Sequence, residues 1–101
     1  MYKRQGQVPL EPSSGELVKE DIEGQARRCL ENLSAVAEAA GGSLANAVRC
    51  TVYLTDMNDF ARVNEVYAEF FGGDDPPARV AVAVAGLPKG ADIEIDAIVA
   101  L

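Results

Sequence analysis

Apolar residues recur along the chain at two different spacings, which predicts an alternation of strands and helices. From Leu17 to Ala40 they recur every three or four residues and form one stripe, as on an amphipathic helix. Asp21 can cap the start of this helix, and Gly41 and Gly42 can end it. A similar stripe from Phe60 to about Phe71 predicts a second helix.

Alternation with a period of two predicts strands. The segment 47–55 is interpreted as a half-polar strand, and its apolar face is made of Val48, Cys50, Val52 and Leu54. The segment 93–101 alternates in the same way, with acidic residues on its polar side. The run 80–85 is apolar at every position, which predicts a strand buried on both faces. The segment 1–8 carries a weaker strand pattern.

The order of these elements predicts an α+β fold in a single domain, residues 1–101, with two helices packed on one face of a small mixed sheet. Loops are predicted at Pro9–Gly15 and Gly72–Pro77, where proline and glycine cluster. The opposite face of the sheet is expected to carry Arg49, Tyr53 and the alanines of the strand 79–85. Because no predicted element covers that face, we expect the chain to self-associate.

Composition and charge exclude several classes of function. The net charge of −7 disfavours binding to the phosphate backbone of nucleic acids. The apolar runs are far shorter than the roughly 20 residues of a membrane-spanning helix. The first ten residues lack the apolar core of a signal peptide, so we expect a cytoplasmic protein.

The chain has two cysteines, Cys29 and Cys50, and no histidine. The lack of histidine excludes Ser-His-Asp and Cys-His catalysis and most zinc sites. The cysteines are expected to pack in the core as small apolar residues. Any chemistry must therefore rest on carboxylates, Arg, Lys, Tyr or backbone groups.

The apolar and polar patterns of the predicted strands do not explain two charged residues, Arg79 and Glu94. Arg79 stands at the mouth of the apolar strand, and Glu94 lies on the strand that we expect to be its neighbour. A guanidinium there is costly to bury without a partner, so the two residues form either a site or a structural ion pair. From the residues alone, the ion pair is favoured. Asp92 and Asp96, which flank Glu94, are interpreted as solvated edge charges, although they could also raise the pKa of Glu94.

Several segments, in order, resemble one known family. They are GQVP at 6–9, TVYL at 51–54, DMNDF at 56–60, VN at 63–64, PAR at 77–79, LPK at 87–89 and IEI at 93–95. The chain is similar over nearly its whole length to the RidA/YjgF family of reactive-intermediate (enamine/imine) deaminases, also described as endoribonuclease L-PSP-like. The resemblance implies a chorismate-mutase-like fold and a homotrimer with sites in the clefts between subunits.

The resemblance also implies an activity: hydrolysis of 2-aminoacrylate and related 2-imino acids to 2-keto acids and ammonia, without a metal or an organic cofactor. Carried over by position, Arg79 holds the substrate carboxylate and Glu94 positions or activates the water. Asn64 and the backbone at Ala81 line the cleft. The alternative is a non-catalytic relative that binds a small carboxylate metabolite or another protein.

One feature departs from the family pattern. Members usually carry a further hairpin before the segment that corresponds to Gly6, and that hairpin contributes a site-lining tyrosine. Here the chain begins almost at Gly6, Gln5 stands where the family usually has serine, and Tyr2 does not occupy the place of that tyrosine. We therefore expect an N-terminally short version of the fold.

Overall fold

The computed structural model describes residues 2–18, 20–72 and 76–101. In chain order, the strands and α-helices of these residues are β1 (Tyr2–Gln7), α1 (Ile22–Ala39), β2 (Ala47–Leu54), α2 (Phe60–Phe71), β3 (Ala78–Ala83) and β4 (Ile93–Ala100). The strands form one sheet in the order β1-β4-β2-β3. β2 and β3 are parallel, whereas β4 is antiparallel to both β1 and β2. The predicted α+β fold with a mixed sheet is confirmed.

The core lies between the two helices and one face of the sheet. Alternate residues of β2 and β4 face the helices and are buried with the apolar stripes of α1 and α2. The members from these two strands are Ala47, Cys50, Val52, Leu54, Ile93, Ile95, Ala97 and Val99. Both helices therefore cover the same face, as the two stripes predict.

Helix α1 is shorter at its start than its apolar pattern indicates. The Asp21 side chain accepts a hydrogen bond of 2.9 Å from the Gly24 N–H and caps the helix, as expected. Leu17, predicted to be helical, instead pairs with Leu10 in an isolated β-bridge, because the loop beginning at Pro9 turns back on itself. At the other end Gly41 adopts a φ of 89°, the left-handed geometry that ends a helix.

The prediction that the apolar strand is buried on both faces is wrong for the single chain. β3 pairs only with β2 and forms an edge of the sheet. Its residues are exposed or half-buried, and Val80 is 41% exposed. Ala81 faces the helices rather than the open face, because it is in register with the core residue Val52.

Val48 is a second correction. A register shift between Ala47 and Arg49 in the β2–β4 pairing displaces it from the apolar face. Val48 is 46% exposed, and Ala47 takes its place in the core. Of the predicted Gly72–Pro77 break, residues 73–75 lie outside the described part of the chain, and its remaining residues belong to no helix or strand.

The opposite face of the sheet has no helix against it in the described ranges. It carries Arg49, Thr51 and Tyr53 from β2, and Glu94 and Asp96 from β4. Arg49 and Tyr53 lie there as predicted. None of the described helices is both long and apolar enough to span a bilayer.

Candidate functional site

Arg79 lies near the start of β3, which is an edge strand of the sheet. It is in register with Cys50, a core residue, so its side chain leaves the sheet on the helix-covered face. Parallel partners in register point to the same face. The edge position leaves the residue exposed. The sequence thus places a permanent cation where solvent and a ligand can reach it.

Three residues of α2 surround the Arg79 guanidinium. Phe60, Asn64 and Tyr67 are spaced by four and three residues, which puts them on one stripe of the helix. The Asn64 side-chain oxygen accepts a hydrogen bond from Arg79 Nη1. Arg79 Cζ lies 5.1 Å from the ring centroid of Phe60 and 5.0 Å from that of Tyr67. These distances are within the range of cation–π contacts.

Within the described part of the chain, no carboxylate neutralises the Arg79 guanidinium. No ion pair that involves Arg79 occurs within residues 2–18, 20–72 and 76–101. By contrast, Arg27 is paired with Glu69 at 2.8 Å, and Arg62 with Glu23. The structural ion pair with Glu94, which the residues alone favour, is therefore absent from the described contacts.

Ala81 lies two residues beyond Arg79 on the same face of β3. It is half-buried and packs against the core. The structure thus brings together three of the four residues expected at the site: Arg79, Asn64 and Ala81.

Glu94 lies elsewhere in the single chain. The expectation that β3 and β4 are neighbours is wrong, since β2 lies between them. Two strand spacings, about 10 Å, therefore separate the strands that carry the two residues. Glu94 also alternates with the core residues Ile93 and Ile95, so it points to the open face, opposite to Arg79. Within one chain the two side chains cannot hold the same small substrate.

The Glu94 carboxylate is half-buried against β1. A Cβ atom built on Gly6 would lie 3.0 Å from Glu94 Oε2 and 3.5 Å from the Asp96 Cβ. Tyr53 is in register with Glu94 on the other side. Because residue 6 is glycine, β1 leaves room for the Glu94 carboxylate at this position.

The two aspartates beside Glu94 differ in their surroundings. Asp92 is exposed, as predicted, and its carboxylate accepts a hydrogen bond of 3.2 Å from the Gln25 amide. Asp96 is only 7% exposed, and the Tyr53 hydroxyl donates to it at 3.2 Å. The interpretation of Asp96 as a solvated edge charge is therefore wrong, because β1 and β2 flank it on both sides.

Comparison with known proteins assigns the chain to a family. The family model described as endoribonuclease L-PSP, which covers the RidA/YjgF proteins, matches residues 4–101. This chain belongs to that family. A RutC family protein of Pyrococcus horikoshii is 59% identical over 93 residues, which are 92% of this chain and 73% of that protein.

Two further relatives add a named activity and an experimental fold. The 2-iminobutanoate/2-iminopropanoate deaminase of Rattus norvegicus is 48% identical to this RidA-family chain over 92% of it and 67% of the rat protein. The crystal structure of RidA from an Antarctic Psychrobacter has a TM-score of 0.90 at 43% identity, over 96% of this chain and 77% of that one. The expected RidA fold is thus confirmed.

Phe60 and Tyr67 are neighbours of Arg79 to which the sequence analysis gave no role at the site, since they lie on the apolar stripe of the second predicted helix. Both pack in the core, and Tyr67 is 6% exposed. The available signal was their spacing from Asn64, which the family resemblance already singled out. In the sequence Gly6 stood out only as part of the family segment GQVP, although its lack of a side chain admits the Glu94 carboxylate.

The cysteines of this RidA-family chain are buried in the core, as predicted. Burial, with a smaller contribution from the charge of Glu94, raises the pKa of Cys29 from 9.0 to about 12. Burial also raises the pKa of Cys50 despite a contact with Tyr67. Both thiols therefore stay protonated at neutral pH and do not act as nucleophiles.

Proposed function

We propose that this RidA-family protein hydrolyses 2-aminoacrylate and related 2-imino acids to 2-keto acids and ammonia. The observation that carries the proposal is the exposed Arg79 guanidinium, fixed by Asn64 and two aromatic rings yet unpaired with any described carboxylate. Relatives 45–50% identical to this chain are named 2-iminobutanoate/2-iminopropanoate deaminases. The net charge of −7 argues against RNA as the substrate, whatever the family's name suggests.

Arg79 is proposed to bind the α-carboxylate of the imino acid. A planar guanidinium binds a carboxylate through two parallel hydrogen bonds and stays charged at any physiological pH. This contact fixes the plane of the substrate, so the imine carbon lies at a constant position relative to the cleft. The backbone at Ala81, two residues along β3, lines the same cleft.

Glu94 is proposed to position or activate the attacking water. Its carboxylate accepts one proton from water as the water oxygen bonds to the imine carbon and passes it to the imine nitrogen, which gives a carbinolamine with a hydroxyl and an amino group. The carboxylate then accepts the hydroxyl proton and transfers it to the amino nitrogen. The C–O bond becomes the carbonyl of the 2-keto acid as the C–N bond breaks and its electron pair leaves with ammonia. Both water protons end on ammonia, so Glu94 returns to its starting state. Because imines hydrolyse readily, positioning and proton transfer suffice.

Because Arg79 and Glu94 point to opposite faces of one chain, we propose that neighbouring copies in a homotrimer supply them to a shared cleft. The exposed edge strand β3 and the uncovered sheet face support such an assembly, since Val80 and Val48 are large apolar residues left exposed by the single chain. Closed cyclic assembly would bury these surfaces.

The activity is tested by generating 2-aminoacrylate with a dehydratase and trapping the imine as a semicarbazone. The protein is expected to slow semicarbazone formation in proportion to its concentration, because it consumes the imine first. Unchanged trapping at high protein concentration would contradict the deaminase and leave a carboxylate-binding or protein-interaction role.

Substitutions then assign the roles. Arg79→Ala should lower kcat/KM at least about 100-fold, because two charge-assisted hydrogen bonds are lost. Glu94→Gln should lower kcat with little effect on KM. Arg62→Ala is the matched control, since this arginine of α2 is already paired with Glu23 and Asp21. If Arg62→Ala and Arg79→Ala reduce activity equally, Arg79 has no specific role.

A further inference from the structure

We infer that Phe60 and Tyr67 are positioning residues of the site: their rings orient the Arg79 guanidinium for the substrate carboxylate. The inference rests on the carboxylate-binding role proposed for Arg79. Neither ring is expected to touch the reacting atoms. Their effect is exerted through the guanidinium alone.

The geometry of the two rings supports this role. Arg79 Cζ lies at nearly the same distance, 5.1 Å and 5.0 Å, from the Phe60 and Tyr67 centroids. Both rings are anchored in the core cluster, so they form rigid surfaces for a side chain that would otherwise move freely on an exposed edge strand. Long arginine side chains lose much rotational freedom when they bind, and a preformed orientation reduces that loss.

Asn64 completes the arrangement without competing for the substrate. Its amide oxygen occupies one N–H of Nη1 and carries no charge, so the guanidinium keeps its attraction for a carboxylate. With two ring faces nearby and Nη1 engaged, the orientation of the remaining N–H groups is restricted. The carboxylate therefore meets a guanidinium in one fixed orientation.

The ring of Tyr67, rather than its hydroxyl, does the positioning. The hydroxyl is buried and has no well-formed hydrogen bond among the described residues, although the Cys50 thiol lies beside it. Tyr67→Phe keeps the ring and removes this hydroxyl. Tyr67→Leu removes the ring and keeps an apolar side chain in the core.

The first test measures the guanidinium without any substrate. The NMR order parameter of the Arg79 Nε–H bond should show a restrained side chain in the wild-type protein and in Tyr67→Phe. It should fall clearly in Tyr67→Leu and Phe60→Leu. An Arg79 Nε–H that is equally mobile in all four proteins would overturn the inference, whether or not the protein is a deaminase.

The second test measures binding and turnover. For Tyr67→Leu and Phe60→Leu, the Kd of 2-oxobutanoate and the KM for 2-iminobutanoate should rise about tenfold, while kcat changes less than about threefold. Tyr67→Phe should match the wild-type protein within about twofold. Val66→Ala, a truncation of a buried residue on the same helix but outside the stripe of Phe60, Asn64 and Tyr67, controls for lost packing. If it raises Kd as much as Tyr67→Leu, packing rather than guanidinium orientation explains the effect.

These readouts separate the two hypotheses. Loss of 2-oxobutanoate binding in the leucine variants of a protein without turnover would support the positioning role and contradict the deaminase. Normal turnover that is insensitive to both leucine substitutions would contradict the positioning role and leave the deaminase standing.

Discussion

The Glu94 carboxylate occupies space that a side chain at Gly6 would need. A Cβ at this position would lie 3.0 Å from Glu94 Oε2, closer than ordinary van der Waals contact. The two residues are on neighbouring antiparallel strands, so β1 limits the directions in which the carboxylate can point. The place of the proposed water-activating group is thus set by the absence of a side chain 88 residues earlier in the sequence.

Gly6→Ala should therefore lower kcat by about tenfold or more while changing the free energy of unfolding by less than about 1 kcal/mol. The flexible carboxylate can move away from the methyl group, so stability is kept and geometry is lost. Steady-state kinetics and urea unfolding measure the two quantities. Gly86→Ala is the matched control, because a Cβ there has no neighbour within 4 Å. Full activity in Gly6→Ala would mean that the observed position of Glu94 is not required.

Subunit mixing tests whether Arg79 and Glu94 of different copies share a cleft. Arg79→Ala and Glu94→Gln are each expected to be inactive. When the two are refolded together in equal amounts, random trimers that contain both kinds of subunit regain one intact cleft. About a quarter of wild-type activity should return, because cyclic symmetry pairs each Arg79 with a neighbour's Glu94. A mixture that remains inactive, although sedimentation shows mixed trimers, would contradict a shared cleft.

Local patterns predicted much of the fold because they depend on neighbouring residues alone. The stripe on α1, the Asp21 cap and the left-handed Gly41 all appear in the structure. Strand order was not accessible in this way, because pairing depends on which edges meet after collapse. β2 lies between β3 and β4, and this order separates Arg79 from Glu94.

The exposed apolar face of β3 shows a different limit of sequence reasoning. Burial on both faces was predicted from an uninterrupted apolar run, yet one chain leaves this strand at an edge. An apolar pattern reflects all the contacts that a strand makes, and contacts between copies in the proposed homotrimer would be among them. Similarly, the apolar stripe of the second helix does not reveal the contact between Tyr67 and Arg79, because burial explains an aromatic ring on that stripe equally well.

Asn64→Asp tests why a neutral group holds Arg79. A carboxylate at position 64 would form an ion pair with the guanidinium and compete with the substrate carboxylate. The KM for 2-iminobutanoate should rise by about tenfold or more, with unchanged or slightly higher thermal stability. Asn64→Ala, which removes the contact without adding a charge, should have a smaller effect on KM. If the aspartate variant binds substrate as tightly as the wild-type protein, Arg79 is not the carboxylate-binding group.

The raised thiol pKa values predict a loss of stability at alkaline pH. In the folded chain Cys29 ionises at about 12, whereas its ordinary value is 9.0, and Cys50 is shifted in the same direction. Above pH 9 the unfolded chain therefore binds fewer protons than the folded chain, so the free energy of unfolding falls as pH rises. Each thiol contributes a slope of up to about 1.4 kcal/mol per pH unit. Urea unfolding between pH 8 and pH 10.5 measures this slope.

Cys29→Ala isolates the contribution of one thiol. The variant should be less stable than the wild-type protein at pH 8, because its smaller side chain leaves space in the core. Its stability should nevertheless fall less steeply above pH 9, because one of the groups whose pKa is raised by folding is gone. An unchanged slope would mean that Cys29 ionises equally easily in both states. The complete burial of both thiols also predicts that a disulfide reagent labels the native protein slowly at pH 8. An unchanged slope would conflict with such slow labelling.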